Sequence, residues 1–321
     1  MNAIAEHIVK LAPGSAQVYR NMAILPLKGA ESALSYLTLD RALENGLKIS
    51  ETGSVPTLAV INATGKEVLG LQGEYILGGK QNRMLAQGFY LAKDFDGIIP
   101  VRCVQQGRWT PNASVSFETS DHYAMKSLGF MPSPTQESVW GAIGTYQAQM
   151  RVRSPTRNIE DIYQQKKENV DDFLAHFSYE HGSVGLVALV QHQGKTFFGA
   201  DVFDKHMEPH FGKLIKSYAL DAIQGGPDVT WKDMTDMLMT GFLSQVNAST
   251  LAERKPVSLG RDVTIQGTDV EGYGLIVRDT PVIISFGAKD KAKENPIAPP
   301  LRPHHDPWGM RPLGGPRRYC F

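Results

Sequence analysis

The densest run of chemistry-capable side chains is Gly73-Glu74-Tyr75-Ile76-Leu77-Gly78-Gly79-Lys80-Gln81-Asn82-Arg83. Consecutive glycines admit positive φ and let backbone N–H groups come close to a ligand, as in anion-binding concavities. Lys80 offers a point charge and Arg83 a planar fork, two ways of holding phosphate or carboxylate. The amides of Gln81 and Asn82 can read a base edge, a ribose hydroxyl or a carboxamide, and Glu74 can orient a cation or serve as a general base. The same residues also suit a hairpin turn whose polar side chains satisfy buried backbone. A second run, Val101-Arg102-Cys103-Val104-Gln105-Gln106-Gly107-Arg108-Trp109, ends a strand expected to lie beside the first. Arg108 would add another bidentate donor and Trp109 a stacking face, against the plainer roles of surface salt bridge and core aromatic.

Other clusters carry less. Cys103 has no histidine near it in sequence to lower its pKa, so it reads as a small buried hydrophobe rather than a nucleophile. His206 and His210 are spaced to share a helix face near Asp201 and Asp204, but no third histidine or HExxH pattern accompanies them. Pro209 marks a first helical turn, which gives Asp204 the role of N-cap. His304-His305-Asp306 reads as solvated, and neither a metal nor a cofactor is expected.

The elements that must position these groups change period along the chain. Val18–Leu27 is an apolar run, and Thr38 caps a short helix, Leu39–Asn45, that Gly46 stops. Four strand-like runs follow: Thr57–Ala63, Glu67–Leu77, Arg83–Ala92 and Ile98–Gln105. Turn compositions at Asn62–Gly65 and Lys93–Gly97 predict an antiparallel meander. Gln136–Met150 and Asn158–Phe177 have helical spacing, Ser183–Gln191 and Lys195–Phe203 a hairpin around Gln193-Gly194. Helices are then expected over Lys205–Ile223 and Thr230–Val246, the latter with Thr230 and Asp233 as a capping-box variant. Strands return at Asp262–Gln266, Tyr273–Val277 and Pro281–Phe286. The fold class is therefore α+β: a β-rich antiparallel N-terminal half, a helical middle and a C-terminal return to strands, the first and last strands sharing a core.

Composition sets the limits. A chain of 321 residues, 42% hydrophobic and 21% charged, is globular, and 33 basic against 33 acidic residues supply no global field for nucleic acid or anionic membrane. Two cysteines are too few for a disulfide framework, no apolar stretch reaches membrane-spanning length, and Glu6, His7 and Lys10 interrupt any signal-like start. The expected compartment is the cytoplasm. Residues 1–17 read as an N-terminal extension, 18–287 as one domain, and 288–321 as a proline-rich basic tail able to dock a protein partner.

Taken together, Gly73-Glu74, Gly78-Gly79-Lys80-Gln81-Asn82-Arg83, Gln106-Gly107-Arg108-Trp109, Asp201-Val202-Phe203 and Ser217-Tyr218-Ala219-Leu220-Asp221-Ala222 resemble the ADP-ribosylglycohydrolase- and rhodanese-phosphatase-associated protein domain, over Val18 to Phe286. The resemblance implies neighbours that handle ADP-ribose and phosphoesters, and brings no activity of its own. It also implies an acidic residue where this chain has Gln105; if that carboxylate is catalytic, this member is a non-catalytic relative. Two readings therefore stand. One is binding or processing of an ADP-ribose-like or other nucleotide-type anion by Gly78, Gly79, Lys80, Gln81, Asn82, Arg83, Arg108 and Trp109, with Glu74 as the catalytic candidate. The other is a non-catalytic protein-interaction module. A metal-dependent hydrolase using Glu74, Asp201 and Asp204 is a more distant third.

Overall fold

Alternation decides the central sheet. In the strand Met22–Lys28, Met22 and Ile24 face one hydrophobic core while Ala23, Leu25 and Leu27 face another. The neighbouring strand Ser183–His192 repeats this, with Leu186, Ala188 and Val190 on the first face and Val187 and Leu189 on the second. A sheet apolar on both faces must be covered on both. The helices Lys167–His176 and Glu208–Gly225 cover the first face; Ala3–Ile8 and Thr235–Ser244 cover the second.

The computed structural model describes residues 3–110, 116–192, 195–225 and 235–289, and Met1–Ala288 forms one compact unit. The fold is α+β; among the described residues 28% are helical and 39% lie in strands. Among the described residues nine strands make the central sheet. In spatial order eight are Ala12–Pro13, Met22–Lys28, Ser183–His192, Lys195–Phe203, Thr280–Ala288, Val270–Val277, Arg261–Gln266 and Thr250–Arg254; the ninth, Gln17–Tyr19, also pairs with Met22–Lys28. First and last strands thus do share a core. The residues ahead of Val18 also join it, with Ile4 and Ile8 buried in the second core.

The expected meander is corrected. Glu67–Leu77 is two strands, Glu67–Gly70 and Glu74–Leu77, and Arg83–Ala92 is Arg83–Leu85 and Phe89–Leu91. The halves enter different sheets. Phe89–Leu91, Glu67–Gly70 and Tyr36–Thr38 form a three-stranded sheet, its last pairing parallel. Glu118–Tyr123, Glu74–Leu77, Arg83–Leu85, Asp96–Cys103, Thr57–Asn62 and Leu47–Glu51 form a six-stranded one. The turns at Asn62–Gly65 and Lys93–Gly97 therefore pass between sheets rather than close hairpins. Asn62 ties them together, its amide donating to both Lys66 O and Ala92 O.

The helix expected over Asn158–Phe177 is split into Glu160–Gln165 and Lys167–His176. The helix expected from Thr230 is described from Thr235 to Ser244; Thr230, Asp233, the Gln193-Gly194 turn and the tail from residue 290 lie outside the described residues. Among the described residues no helix is long and apolar enough to cross a membrane.

Candidate functional site

The turn singled out from sequence brings most of its residues together. Gly78 and Gly79 both have positive φ, +108° and +52°. A Cβ on Gly78 would sit 2.4 Å from Ser116 O, and one on Gly79 2.4 Å from the Phe117 ring, so the close approach is to the chain itself. Arg108 Nε donates to Gln105 Oε1 at 2.7 Å, one terminal nitrogen to Gly79 O at 3.2 Å, and the other to Gly78 O and Asn82 Oδ1 at 3.3 and 3.1 Å. Asn82 Oδ1 also accepts from Gly78 N at 3.0 Å. Arg83 is fully buried, with Nε donating to Val55 O and a terminal nitrogen 3.8 Å from Glu51 Oε2. Gln81 is buried as well, its Oε1 without a hydrogen-bond partner. At the surface, Lys80 Nζ stands 5.0 Å from the centroid of Trp109, which is 38% exposed.

Gln105 takes part in this frame through its side-chain oxygen, and its Nε2 donates to Thr156. A carboxylate at this position would accept from Arg108 in the same way, which gives the position an arginine-binding role. Cys103 is buried, and its backbone N and O are both held by the Gln136 side chain.

Glu74 belongs to another neighbourhood. Gly73 at φ +88° turns the chain so that Glu74 N donates to Leu71 O while Glu74 Oε2 accepts from Leu71 N at 2.7 Å. Its register partner is Tyr123, the last residue of Glu118–Tyr123. Tyr123 OH lies 2.6 Å from His210 Nδ1, and His210 stacks on Phe203 at 4.3 Å. Next to Tyr123, Lys126 reaches Asp201 Oδ1 at 2.8 Å. Asp201 also accepts from Tyr218 OH at 2.8 Å and from Ser285 Oγ at 2.6 Å, Ser285 being its register partner on the adjoining strand. Asp221 accepts from Lys126 N at 2.9 Å and from Tyr146 OH. Tyr123, Lys126, Asp201, Gln72 and Tyr273 line a cavity of about 10 Å³, room for a single water.

The electrostatics of the buried groups around this cavity are uneven. Burial pushes the Glu74 carboxyl up to about 7; Lys213 pulls it back and Asp40 pushes it further. Burial pushes His210 down to about 4, helped by Lys213 and opposed by Asp40 and Asp201. One group thus changes charge near neutral pH, and the other stays neutral there.

Asp204 is not the expected cap. The helix starts at Glu208, and the Asp204 carboxylate accepts from Ser32 Oγ and from Tyr36 OH at 2.5 Å. Burial raises its pKa. His206 is half exposed beside Glu31, far in character from the buried His210, so the four-residue spacing builds no shared face. Among the described residues no three His, Cys, Asp or Glu side chains gather as a metal-binding set.

Sequence reasoning found Glu74 and Asp201 but not Tyr123, Lys126, Lys213 or Asp40. A signal was present. His210, Lys213, Ser217 and Asp221 recur at helical spacing on a helix otherwise rich in buried apolar residues, a polar stripe that must meet polar partners.

A family model of the ARG and Rhodanese-Phosphatase-superfamily-associated Protein domain, ARPP-1, matches residues 10–287. The chain belongs to the ARPP-1 family. The description reads ARG, and the expansion to ADP-ribosylglycohydrolase is not what the name says. No curated protein and no solved structure matches this ARPP-1 chain. All the residues of the turn and of the Glu74 pocket fall inside the matched range.

Proposed function

We propose that this ARPP-1 domain handles an anionic small molecule by proton transfer, with Glu74 carrying the proton. Tyr123 with its His210 partner, and the Lys126–Asp201 pair, would orient the reacting group. The observation that carries the reading is a buried carboxyl that gains or loses its proton near neutral pH, next in the chain to Gly73, which lines a water-sized cavity together with the Lys126–Asp201 pair. The family's association with a rhodanese-phosphatase superfamily supports a phosphoester-type ligand, and ADP-ribose and other nucleotides are the first of that class to try.

The test is a screen of ADP-ribose, NAD, nucleotides, cyclic nucleotides and phosphomonoesters against wild type and Glu74→Gln, reading melting temperature and turnover. At least one compound raises the wild-type melting temperature. Its turnover follows one ionisation near 7 and falls roughly 100- to 10,000-fold in Glu74→Gln. If no compound stabilises or is turned over by the wild type, the reading is abandoned.

A non-catalytic interaction module is favoured by a different observation. Each of the three Arg108 guanidinium nitrogens donates to the chain's own acceptors, so the Gly78–Arg83 turn supports a frame while Lys80 and Trp109 face outward. On this reading the screen is blank, and Trp109→Ala with Lys80→Glu loses a co-purifying protein partner that Glu74→Gln keeps.

A further inference from the structure

An ion pair stands between solvent and the Glu74 neighbourhood. Lys213 Nζ donates to both carboxylate oxygens of Asp40, at 2.8 and 2.7 Å, and lies 5.5 Å from the centroid of the Tyr123 ring. Thr119 Oγ1 donates to the same carboxylate. The Lys213 side chain is 13% exposed and that of Asp40 37%, whereas Glu74 is 3% and His210 6% exposed. The pair is close enough to both buried groups for its two charges to act on each of them.

The two members are anchored differently. Lys213 rises from the long buried helix Glu208–Gly225, whose neighbours Leu214, Ile215 and Ser217 are fixed in the core. Asp40 sits in the six-residue helix Leu39–Glu44, more exposed and held by a single hydroxyl besides the lysine. Asp40 is the more exposed member of the pair, and a doubly charged oxyanion offers a lysine more charge than a carboxylate does. An ammonium and a hydroxyl converging on one carboxylate form a seat for an oxyanion, already filled by the chain's own side chain.

We infer that Lys213 with Thr119 is an anion subsite, and that Asp40 occupies it as a stand-in which a phosphate group of the ligand displaces. The inference rests on the reading of Glu74 as the working carboxyl and names its ligand class: a phosphomonoester or diphosphate whose charged end lies at Lys213, the lysine whose charge acts on Glu74.

Melting curves of the full chain with inorganic phosphate, at ionic strength held constant with chloride, test this. Wild type rises with phosphate. Asp40→Asn half-saturates at about tenfold lower phosphate, a usual size for coupling between competitors. Lys213→Met gives no rise, and Lys213→Arg keeps it. Circular dichroism checks that each variant is folded, and Lys213→Gln replaces Lys213→Met if the latter is not. A wild type that ignores phosphate, a Lys213→Met that responds like wild type, or an Asp40→Asn that saturates no earlier, overturns the subsite. The two proposals fail separately. Phosphate binding that depends on Lys213, with no turnover that depends on Glu74, keeps the subsite and removes the acid–base reading. Turnover that depends on Glu74, without a phosphate response through Lys213, does the reverse.

Discussion

The Gly78–Arg83 turn and the Glu74 pocket occupy one strand and the turn that follows it, and both bury charged side chains. At the turn, Arg108 and Asn82 end on backbone groups and on each other, so their polarity is consumed in fixing a loop. Around the pocket, charges end on other titratable groups, and burial holds Glu74 at about 7. Polar density alone therefore does not mark a site. What separates a frame from a place where chemistry can occur is whether the donors meet backbone carbonyls or groups that can themselves exchange protons.

That contrast breaks if the two regions respond alike to substitution. The largest expected effect is at the frame. Arg108→Ala removes charge-assisted bonds to Gly78 O, Gly79 O, Asn82 and Gln105, and should cost about 4 kcal/mol in urea unfolding, equally at pH 5 and pH 8. A loss under about 1 kcal/mol would show that the turn does not depend on its arginine.

The pocket should respond with the opposite sign. Burial raises Glu74 from the ordinary 4.5 to about 7, so its contribution to stability is present when protonated and lost as pH rises through about 7. Glu74→Gln should therefore stabilise the chain by about 3 kcal/mol at pH 8, with the gain gone by pH 4. Urea unfolding at the two pH values checks it, and a destabilised variant at pH 8 would place Glu74 in a frame of its own.

His210 sharpens the comparison because it runs the other way. Held at about 4 instead of 6.5, it favours folding when neutral, and that stability is lost as pH falls from 6.5 toward 4. Between 4.5 and 6.5 the trends of Glu74 and His210 oppose each other and nearly cancel. In Glu74→Gln the His210 trend stands alone, and stability should drop by about 3 kcal/mol from pH 6.5 to pH 4. A flat profile in that variant would mean that His210 titrates normally.

The smallest effect is expected at Gln105. Gln105→Glu keeps an oxygen for Arg108 while losing the donor to Thr156, so stability should stay within about 1 kcal/mol of wild type, with no new turnover. Activity gained by this substitution would make position 105 catalytic and return the turn to the centre of the function.

Much of the fold was legible because its signals are local. Alternation marked Ser183–His192 and Lys195–Phe203, and Gly46 ended its helix at φ +113° as a C′ glycine does. Strand identity was legible where strand partners were not. Glu67–Leu77 reads as one strand-like run, yet Gly73 at φ +88° sends its halves into separate sheets, and periodicity carries no information about that. The same gap hid the pocket. Glu118–Tyr123, with Ser, Asp and His among its residues, lacks an apolar alternation, so the strand that delivers Tyr123 and leads into Lys126 went unread. Glu74 was visible as a carboxylate, but its partners Asp40, Tyr123 and Lys213 come from three distant segments that only the folded chain brings together.

The register of the central sheet also sets the order of events during synthesis. Asp201 faces Ser285 across the sheet, and Ser285 in turn faces Tyr273, so the floor of the pocket needs strands that leave the ribosome well after Lys126 and Asp201. Until Thr280–Ala288 docks between Lys195–Phe203 and Val270–Val277, the edge of Lys195–Phe203 is unpaired. Asp201 and Lys126 then have each other but lack the hydroxyl of Ser285. A nascent chain halted before that strand would expose an open edge beside a charge pair short of one hydroxyl, the kind of surface that chaperones cover.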